Sequence, residues 1–292
     1  MKPAPFSYHR ARSAEEAVSL LAGLGDDAKL LAGGQSLVAM MNFRLARPAA
    51  LVDISRLAEL RYVRPAGGGL RIGALALHRD LERLADPGLL AGFGMLPQAA
   101  GYIGHYAIRA AGTFGGSIAH ADPAAELTAV LAALDGEVTA RGPQGDRVIS
   151  ARELFVTYLT TSLEPRELLV EARFPAPPQG AGWSWMEVAR RHGDFALAGV
   201  GTVLVLRRGT IADARIGLIG VGPTPVRAAE AERGLIGRPP SEALWEAAAE
   251  AVRGAVSPDG DIHASAEYRR HVAGVLAQRA LRESLSRVQE AA

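Results

Sequence analysis

The chain contains no cysteine. That absence removes disulfides, thiolate nucleophiles, cysteine-ligated zinc and any iron–sulfur cluster held on this polypeptide, so a cluster that serves it must sit on a partner. Lysine is nearly as scarce, with only Lys2 and Lys29, so arginine makes up almost all of the 32 basic residues; this reads as compositional bias rather than as an anion site. The basic residues are balanced by 31 Asp and Glu and form no block, which excludes the clustered positive charge of a nucleic-acid binder. Long apolar runs are missing too. The longest near-apolar stretch, residues 195–206, is far short of the roughly 20 residues that span a bilayer. The opening MKPAPFSYHR has no apolar segment of a secretory leader, so a cytoplasmic location is expected, with peripheral attachment at the inner membrane face left open. What is present is 292 residues, 49% of them hydrophobic, enough for about two domains that bury their cores without covalent staples.

Ser13 followed by Glu16 has the form of a capping box, and Ala17, Leu20, Leu21 and Leu24 recur at helical spacing until Gly25, which predicts a first helix. An apolar run at 29–32, the turn Gly33-Gly34-Gln35-Ser36, a second apolar stretch to Met41 and a strand-like 51–54 complete an α/β unit. Segments 60–63 and 70–72 flank Gly67-Gly68-Gly69 as a strand pair, and 81–100 reads as helical. A second glycine-rich segment, 112–117, leads to Asp122-Pro123; Pro123 suits the first turn of a helix with Leu127, Val130, Leu131 and Leu134 on one face, stopped by Gly136. Strands are expected at 138–140, 148–149 and 168–174. Pro175-Ala176-Pro177-Pro178-Gln179-Gly180 then breaks every pattern and marks a domain boundary. Beyond it, three strands (183–188, 199–206, 214–219) precede three helices (227–235, 241–252, 266–285), a small α+β domain.

A glycine pair between strand and helix can leave backbone N–H groups free to hold an anion such as a pyrophosphate. Gly33-Gly34-Gln35-Ser36 fits, although alone it is more often a plain turn. Gly115-Gly116-Ser117 is a second such segment able to approach the same anion, with Thr113 and Ser117 adding hydroxyls, and two cradles suit a two-phosphate ligand. Neither is a Walker A loop or the three-glycine dinucleotide fingerprint. The seven histidines show no metal-ligand spacing, so no metal site and no catalytic side chain are assigned.

AGGQSL at 32–37, AIR at 107–109, GTFGGSIAHADPAAEL at 112–127 and ARRHGDFA at 189–196 together resemble the FAD-binding medium subunit of molybdenum hydroxylases, the family of aerobic carbon monoxide dehydrogenase and bacterial xanthine dehydrogenase-type enzymes. The resemblance runs the length of the chain. It implies an α+β fold: a PCMH-type, vanillyl-alcohol-oxidase-like FAD-binding domain over 1–176, with subdomains at about 1–56 and 57–176, then a C-terminal α+β domain over 181–287 with a three-stranded sheet plus helices.

Carried over by motif, Ala32, Gly33, Gly34, Gln35, Ser36 and Leu37 form the first FAD loop, and Thr113, Gly115, Gly116, Ser117 and Asp122 the second, with His120 and Glu126 in the same motif. Leu169 is expected near the flavin and Ile103 near the adenine. Phe195 takes the position where similar proteins often carry Tyr against the isoalloxazine, so stacking is kept and a hydroxyl lost. Asp194, Arg190 and Arg191 are candidates to place charge near the ring. Relatives commonly read IRNRGT where this chain has Ala110 and Ala111, which puts in doubt any contact made by the Asn and Arg side chains. The resemblance further implies a small subunit with two [2Fe-2S] clusters, a large molybdopterin subunit, a dimer of heterotrimers and an external electron acceptor. The competing reading is a self-sufficient FAD-dependent oxidoreductase.

Overall fold

A computed structural model describes residues 2–288. The first unit comprises β1 (Ser7–Arg10), α1 (Ala14–Leu24), β2 (Ala28–Leu31), α2 (Leu37–Asn42) and β3 (Ala50–Asp53), with the strands parallel in the order β1-β3-β2. Ser13 caps α1, its hydroxyl accepting the Glu16 N–H at 3.1 Å, while the Glu16 carboxylate reaches back to the Arg12 amide at 2.6 Å. The expected helix therefore forms with its cap. Its Ala17, Val18 and Leu21 pack with Val52 and Ile54 in a small core. Strand β1 carries no apolar alternation and was not expected; it forms by pairing with β3 at the sheet edge.

The second unit runs through β4 (Val63–Ala66), β5 (Gly69–Gly73), α3 (His78–Glu82), α4 (Pro87–Phe93), α5 (Met95–Tyr102), α6 (Tyr106–Arg109), α7 (Phe114–His120), α8 (Glu126–Ala133), β6 (Glu137–Gly142), β7 (Gly145–Ser150), α9 (Ala151–Leu154), β8 (Phe155–Thr157), β9 (Thr160–Thr161) and β10 (Leu168–Phe174). Its main sheet is antiparallel in the order β4-β5-β10-β6-β7. Leu70, Ile72, Val138, Ala140, Ala172 and Phe174 turn inward onto Phe114, Ile118 and Leu131, whereas Arg71, Thr139, Arg141, Glu171 and Arg173 take the opposite face.

Three expectations are corrected here. The strand placed at 60–63 begins only at Val63, because residues 58–60 form a 3-10 turn. The helix placed over 81–100 is interrupted twice. Asp86 caps α4 through the Gly88 and Leu89 amides at 2.8 and 3.1 Å ahead of Pro87, and Gly94 lies so close to the Trp183 ring that a Cβ would fall 1.9 Å from it. Pro123 is not in a first helical turn: the Asp122 carboxylate accepts the Ala124 N–H at 2.8 Å, forming a turn that delays α8 to Glu126.

The third unit comprises β11 (Gly182–Ala189), β12 (Ala196–Arg207), β13 (Thr210–Ile219), β14 (Val226–Arg227), α10 (Ala229–Leu235), α11 (Glu242–Ala255) and α12 (Ala266–Ser286). The expected three-stranded sheet has a fourth strand. Val226 and Arg227 pair with Leu218 and Gly217, so Arg227 belongs to a strand and the helix starts at Ala229. Alternation along β12 sends Ala198, Val200 and Leu204 to α11 and α12, and Val203 and Val205, with Trp185 from β11, into the core that contains α5 and α8. The sheet is therefore a middle layer, covered on both faces and sharing one core with the second unit. Gly201 permits that approach, since a Cβ there would meet Met95 at 2.9 Å and Trp185 at 3.1 Å. Among the described residues no helix is long and apolar enough to cross a membrane.

Candidate functional site

The turn after β2 begins the site. Among the described residues the amides of Gly33, Gly34, Gln35 and Ser36 donate to no group of the chain, although this turn is ordered by the Val38 N–H on the Gly34 carbonyl at 3.1 Å and the Gln35 side-chain amide on the Gly33 carbonyl at 3.0 Å. Gly34 adopts φ +70°, a conformation that favours glycine. Gly33 abuts the second motif: a Cβ on it would lie 2.3 Å from the Ala111 carbonyl oxygen and 3.0 Å from Gly112 Cα. The fold thus brings the two glycine motifs, about eighty residues apart, into contact.

The second motif differs from an open glycine turn. Gly115, Gly116 and Ser117 lie in helix α7, capped by Thr113. The Phe114 and Gly115 amides donate to the carbonyls of Ala76 and Ala74, each at 2.8 Å, while Gly116 N–H goes to the Thr113 hydroxyl at 3.1 Å and Ser117 N–H to the Thr113 carbonyl at 3.0 Å. These amides are engaged. Gly115 is small because a Cβ would fall 2.6 Å from Ala74, whereas Gly116 is exposed beside the Thr113 hydroxyl. Among the described residues the hydroxyl protons of Thr113 and Ser117 have no acceptor, and Asp122 can accept through its second oxygen. His120 ends α7 next to Ala121, whose φ is +52°.

His78 holds this segment from behind. It is buried, its Nε2 donates to the Thr113 carbonyl at 2.9 Å in the tautomer which that carbonyl selects, and its Nδ1 has no partner among the described residues. Burial pushes its pKa down to about 4, helped by the Arg109 charge and opposed by the Thr113 contact, so the ring is neutral near pH 7. Arg109 from the AIR motif is itself buried, paired with Glu82 at 2.8 Å and donating to the Ile103 and Gly104 carbonyls.

The third contribution is the hairpin between β11 and β12. Phe195 projects 75% exposed, a large apolar ring left open to solvent, and Asp194 and Arg191 are exposed beside it. Gly193 (φ +89°) packs on the α5–α6 loop, where a Cβ would strike the His105 ring at 2.4 Å. A cleft of about 410 Å³ opens here, lined by Gln98, Tyr102, Glu187, Arg191 and His192. Glu187 was not singled out by sequence, since it is one polar position in an alternating strand. Ile103 and Leu169, by contrast, are 8% and 4% exposed and belong to the hydrophobic core.

A larger cleft of about 630 Å³ lies on the opposite face of the five-stranded sheet, and most of its charges are paired, while Arg64 lies over the Tyr62 ring. Arg71 pairs with Glu171 at 2.5 Å, Arg173 with Glu171 at 2.7 Å, Arg141 with Asp146 at 2.8 Å and Glu15 at 2.6 Å. Burial alone would raise the Glu171 pKa, but hydrogen bonds from Arg71, Tyr62 and Arg173 hold it down to about 2. The Arg141–Glu15 pair ties α1 to β6 across this cleft.

An unsatisfied glycine turn pressed against a hydroxyl-bearing helix cap suits a phosphate-bearing ligand, and the hairpin of the following unit adds an exposed aromatic ring. Residues 4–177 match the FAD binding domain in molybdopterin dehydrogenase, and 183–284 match the CO dehydrogenase flavoprotein C-terminal domain. The chain belongs to this family of FAD-binding subunits of molybdenum hydroxylases, with FAD as its cofactor, and is a subunit of an oxidoreductase of the carbon monoxide dehydrogenase and xanthine dehydrogenase type. Alpha subunit of the 6-hydroxypseudooxynicotine dehydrogenase complex from Paenarthrobacter nicotinovorans is 43% identical, covering 98% of this chain and 97% of that one. The carbon monoxide dehydrogenase medium chain from Hydrogenophaga pseudoflava is 38% identical over 98% and 99%. The solved carbon monoxide dehydrogenase of that organism superposes with a TM-score of 0.95 at 39% identity, covering 99% of this chain and 100% of its counterpart.

Proposed function

We propose that the chain is the electron outlet of a heterotrimeric molybdenum hydroxylase. It receives electrons from [2Fe-2S] clusters on a small subunit and passes them to an external acceptor, while a large molybdopterin subunit oxidises the substrate; two heterotrimers pair, in the cytoplasm. Bound FAD supplies the exchange between single-electron and two-electron carriers, and protein groups position and tune it. The observation that carries the reading is the set of free amides at Gly33 to Ser36, held against Ala111 and Gly112.

In this reading Ala32, Gly33, Gly34, Gln35, Ser36 and Leu37 bind the pyrophosphate, and Thr113, Ser117 and Asp122 complete its polar shell. Gly115 and Gly116 give the close approach, and His120 and Glu126 follow in the same segment. Phe195 stacks on the isoalloxazine with Asp194 beside it. Ile103 and Leu169 back the adenine and flavin ends from the core. We assign 1–176 to the FAD domain, with subdomains at about 1–56 and 57–176, and 181–287 to the C-terminal domain. Relatives named for 6-hydroxypseudooxynicotine, carbon monoxide and caffeine support assigning substrate choice to another subunit.

Native purification with co-purifying subunits, followed by visible spectroscopy and flavin, iron and molybdenum analysis, tests the proposal. FAD together with iron–sulfur and molybdenum partners is the expected result. A lone chain that keeps FAD and oxidises a small donor by itself would replace it with the self-sufficient oxidoreductase.

A further inference from the structure

The 630 Å³ cleft carries a row of arginines that folding alone does not call for. The pairing register sets Arg64 of β4 directly opposite Arg71 of β5, and Arg71 directly opposite Arg173 of β10. Three guanidinium groups therefore stand side by side on the sheet face that borders the cleft. Like charges placed opposite one another destabilise a sheet. Arg64 by itself is explained as a charge guarding an edge strand, since β4 ends the sheet. Arg71 and Arg173 have no such reason to be there, because β5 and β10 are interior strands paired on both sides.

The countercharge at this end of the cleft is too small. Arg71 and Arg173 share one carboxylate oxygen, Glu171 Oε1, at 2.5 and 2.7 Å. Arg64 forms no ion pair among the described residues and rests 4.4 Å from the centre of the Tyr62 ring. Glu137 stands opposite Arg173 on β6, yet it does not border the cleft and is in no ion pair among the described residues. The other acids of the cleft are engaged elsewhere: Asp146 and Glu15 hold Arg141, and Glu59 accepts the Ala14 N–H at 3.1 Å. Arg61 is held by Asp80 at 3.0 Å. Three guanidinium groups against the single Glu171 carboxylate leave an excess of two positive charges. The Arg71 and Arg173 side chains are 33% and 43% exposed, within reach of a ligand. Beside the row, directly across from Glu171, Thr139 borders the cleft at 4% exposure, and its hydroxyl has no partner among the described residues. A polar group buried this deeply is normally satisfied.

We propose that this end of the cleft binds the phosphate group of a small molecule, held by the guanidinium groups of Arg64, Arg71 and Arg173 above the Thr139 hydroxyl. Guanidinium presents paired N–H donors that match phosphate oxygens, whereas a point cation does not. A phosphate monoester carries a charge of about −1.5 to −2 near pH 7, which balances the excess on the row. Its tetrahedral oxygens point in several directions, as donors arriving from three strands about 4.8 Å apart require. The volume of the cleft leaves room for the rest of a modest metabolite. Bound phosphate would relieve the repulsion along the row, and Arg141 with Glu15 would place the ligand against the contact between α1 and β6.

Isothermal titration calorimetry of the full chain with saturating FAD, at an ionic strength fixed with chloride, tests the site with inorganic phosphate as the probe and succinate as the comparison. The wild type should bind phosphate, and Arg64→Gln/Arg173→Gln should bind it at least about tenfold more weakly, since each arginine contributes charge-assisted hydrogen bonds. Arg207→Gln/Arg208→Gln removes the same charge at the exposed turn between β12 and β13 and should bind as the wild type does. Equal phosphate affinity in the wild type and Arg64→Gln/Arg173→Gln, which binding at the Gly33 to Ser36 turn alone would give, overturns the site. An equal loss in Arg207→Gln/Arg208→Gln overturns it too, as an effect of net charge. Succinate binding as tight as phosphate overturns the assignment to phosphate. Far-ultraviolet circular dichroism checks the fold. Should the double variant not fold, Arg64→Gln, at an exposed position with no ion pair to lose among the described residues, carries the same test: about tenfold weaker phosphate binding is expected, and unchanged binding overturns the site. Any phosphate taken up at the glycine turn of a chain without FAD adds equally to all variants, so the difference between them still decides.

Discussion

Substituting Gly33 tests the contact between the two glycine motifs most directly. In Gly33→Ala the new Cβ would lie 2.3 Å from the Ala111 carbonyl oxygen, a backbone atom that cannot rotate away. Relief requires the two segments to part by about 1 Å, a displacement of the size that abolishes aligned hydrogen bonds. If two charge-assisted bonds from the free amides to the pyrophosphate are lost, at about 1.5 to 3 kcal/mol each, FAD affinity falls by at least about 100-fold. The turn is half-exposed and outside the three hydrophobic clusters, so the fold should survive. FAD titration of the apo-protein, followed by flavin fluorescence quenching, reads the affinity, and far-ultraviolet circular dichroism reads the fold. Gly23→Ala in α1, where a Cβ meets nothing within 4 Å, is the control and should bind FAD as the wild type does. Wild-type affinity in folded Gly33→Ala would refute the cradle.

Further consequences are open to the same kind of test. Phe195→Ala removes a ring that is 75% exposed, so unfolding stability should change by less than about 0.5 kcal/mol, while the visible spectrum or potential of bound flavin shifts; an unaltered flavin would exclude stacking. Glu126→Gln should stabilise the chain at pH 8 relative to the wild type and lose that advantage at pH 4. The folded pKa lies above the ordinary carboxyl value, so native stability is full below about 4.5 and declines as pH rises toward 8; a pH-independent difference in denaturant midpoint would contradict this. His78 acts in the opposite sense: its folded pKa is depressed, so its contribution is present above about 6.5 and lost as pH falls toward 4, and His78→Gln should flatten the acid limb of the melting curve. Arg109→Met strands Glu82 and two loop carbonyls, and should cost about 3 kcal/mol in chemical denaturation.

Local chemistry made much of this legible in one dimension. Ser13 and Glu16 announce a helix through backbone groups they can reach themselves, and the alternation in β5, β6 and β10 already separates a core face from a charged one. Motifs as specific as AGGQSL and GTFGGSIAHADPAAEL carry the FAD family with them. Signals went unread where a residue's role depends on a distant neighbour. Strand β14 is two residues long and exists only because β13 offers it an edge, and the small residue at 94 is required because Trp183, ninety residues on, occupies its Cβ space.

The division within the site has the same origin. The two glycine turns and the Thr113 and Ser117 hydroxyls were legible in the sequence as a candidate anion site, and Phe195 entered through the family resemblance. Tertiary structure alone decided that the amides of Gly33 to Ser36 are free while those of Phe114 to Ser117 are consumed by Ala74, Ala76 and Thr113. It alone placed neutral His78 behind Thr113. Hydrogen-bond satisfaction and desolvation depend on which chain segments exclude water from one another, and that is settled only when all three units have packed.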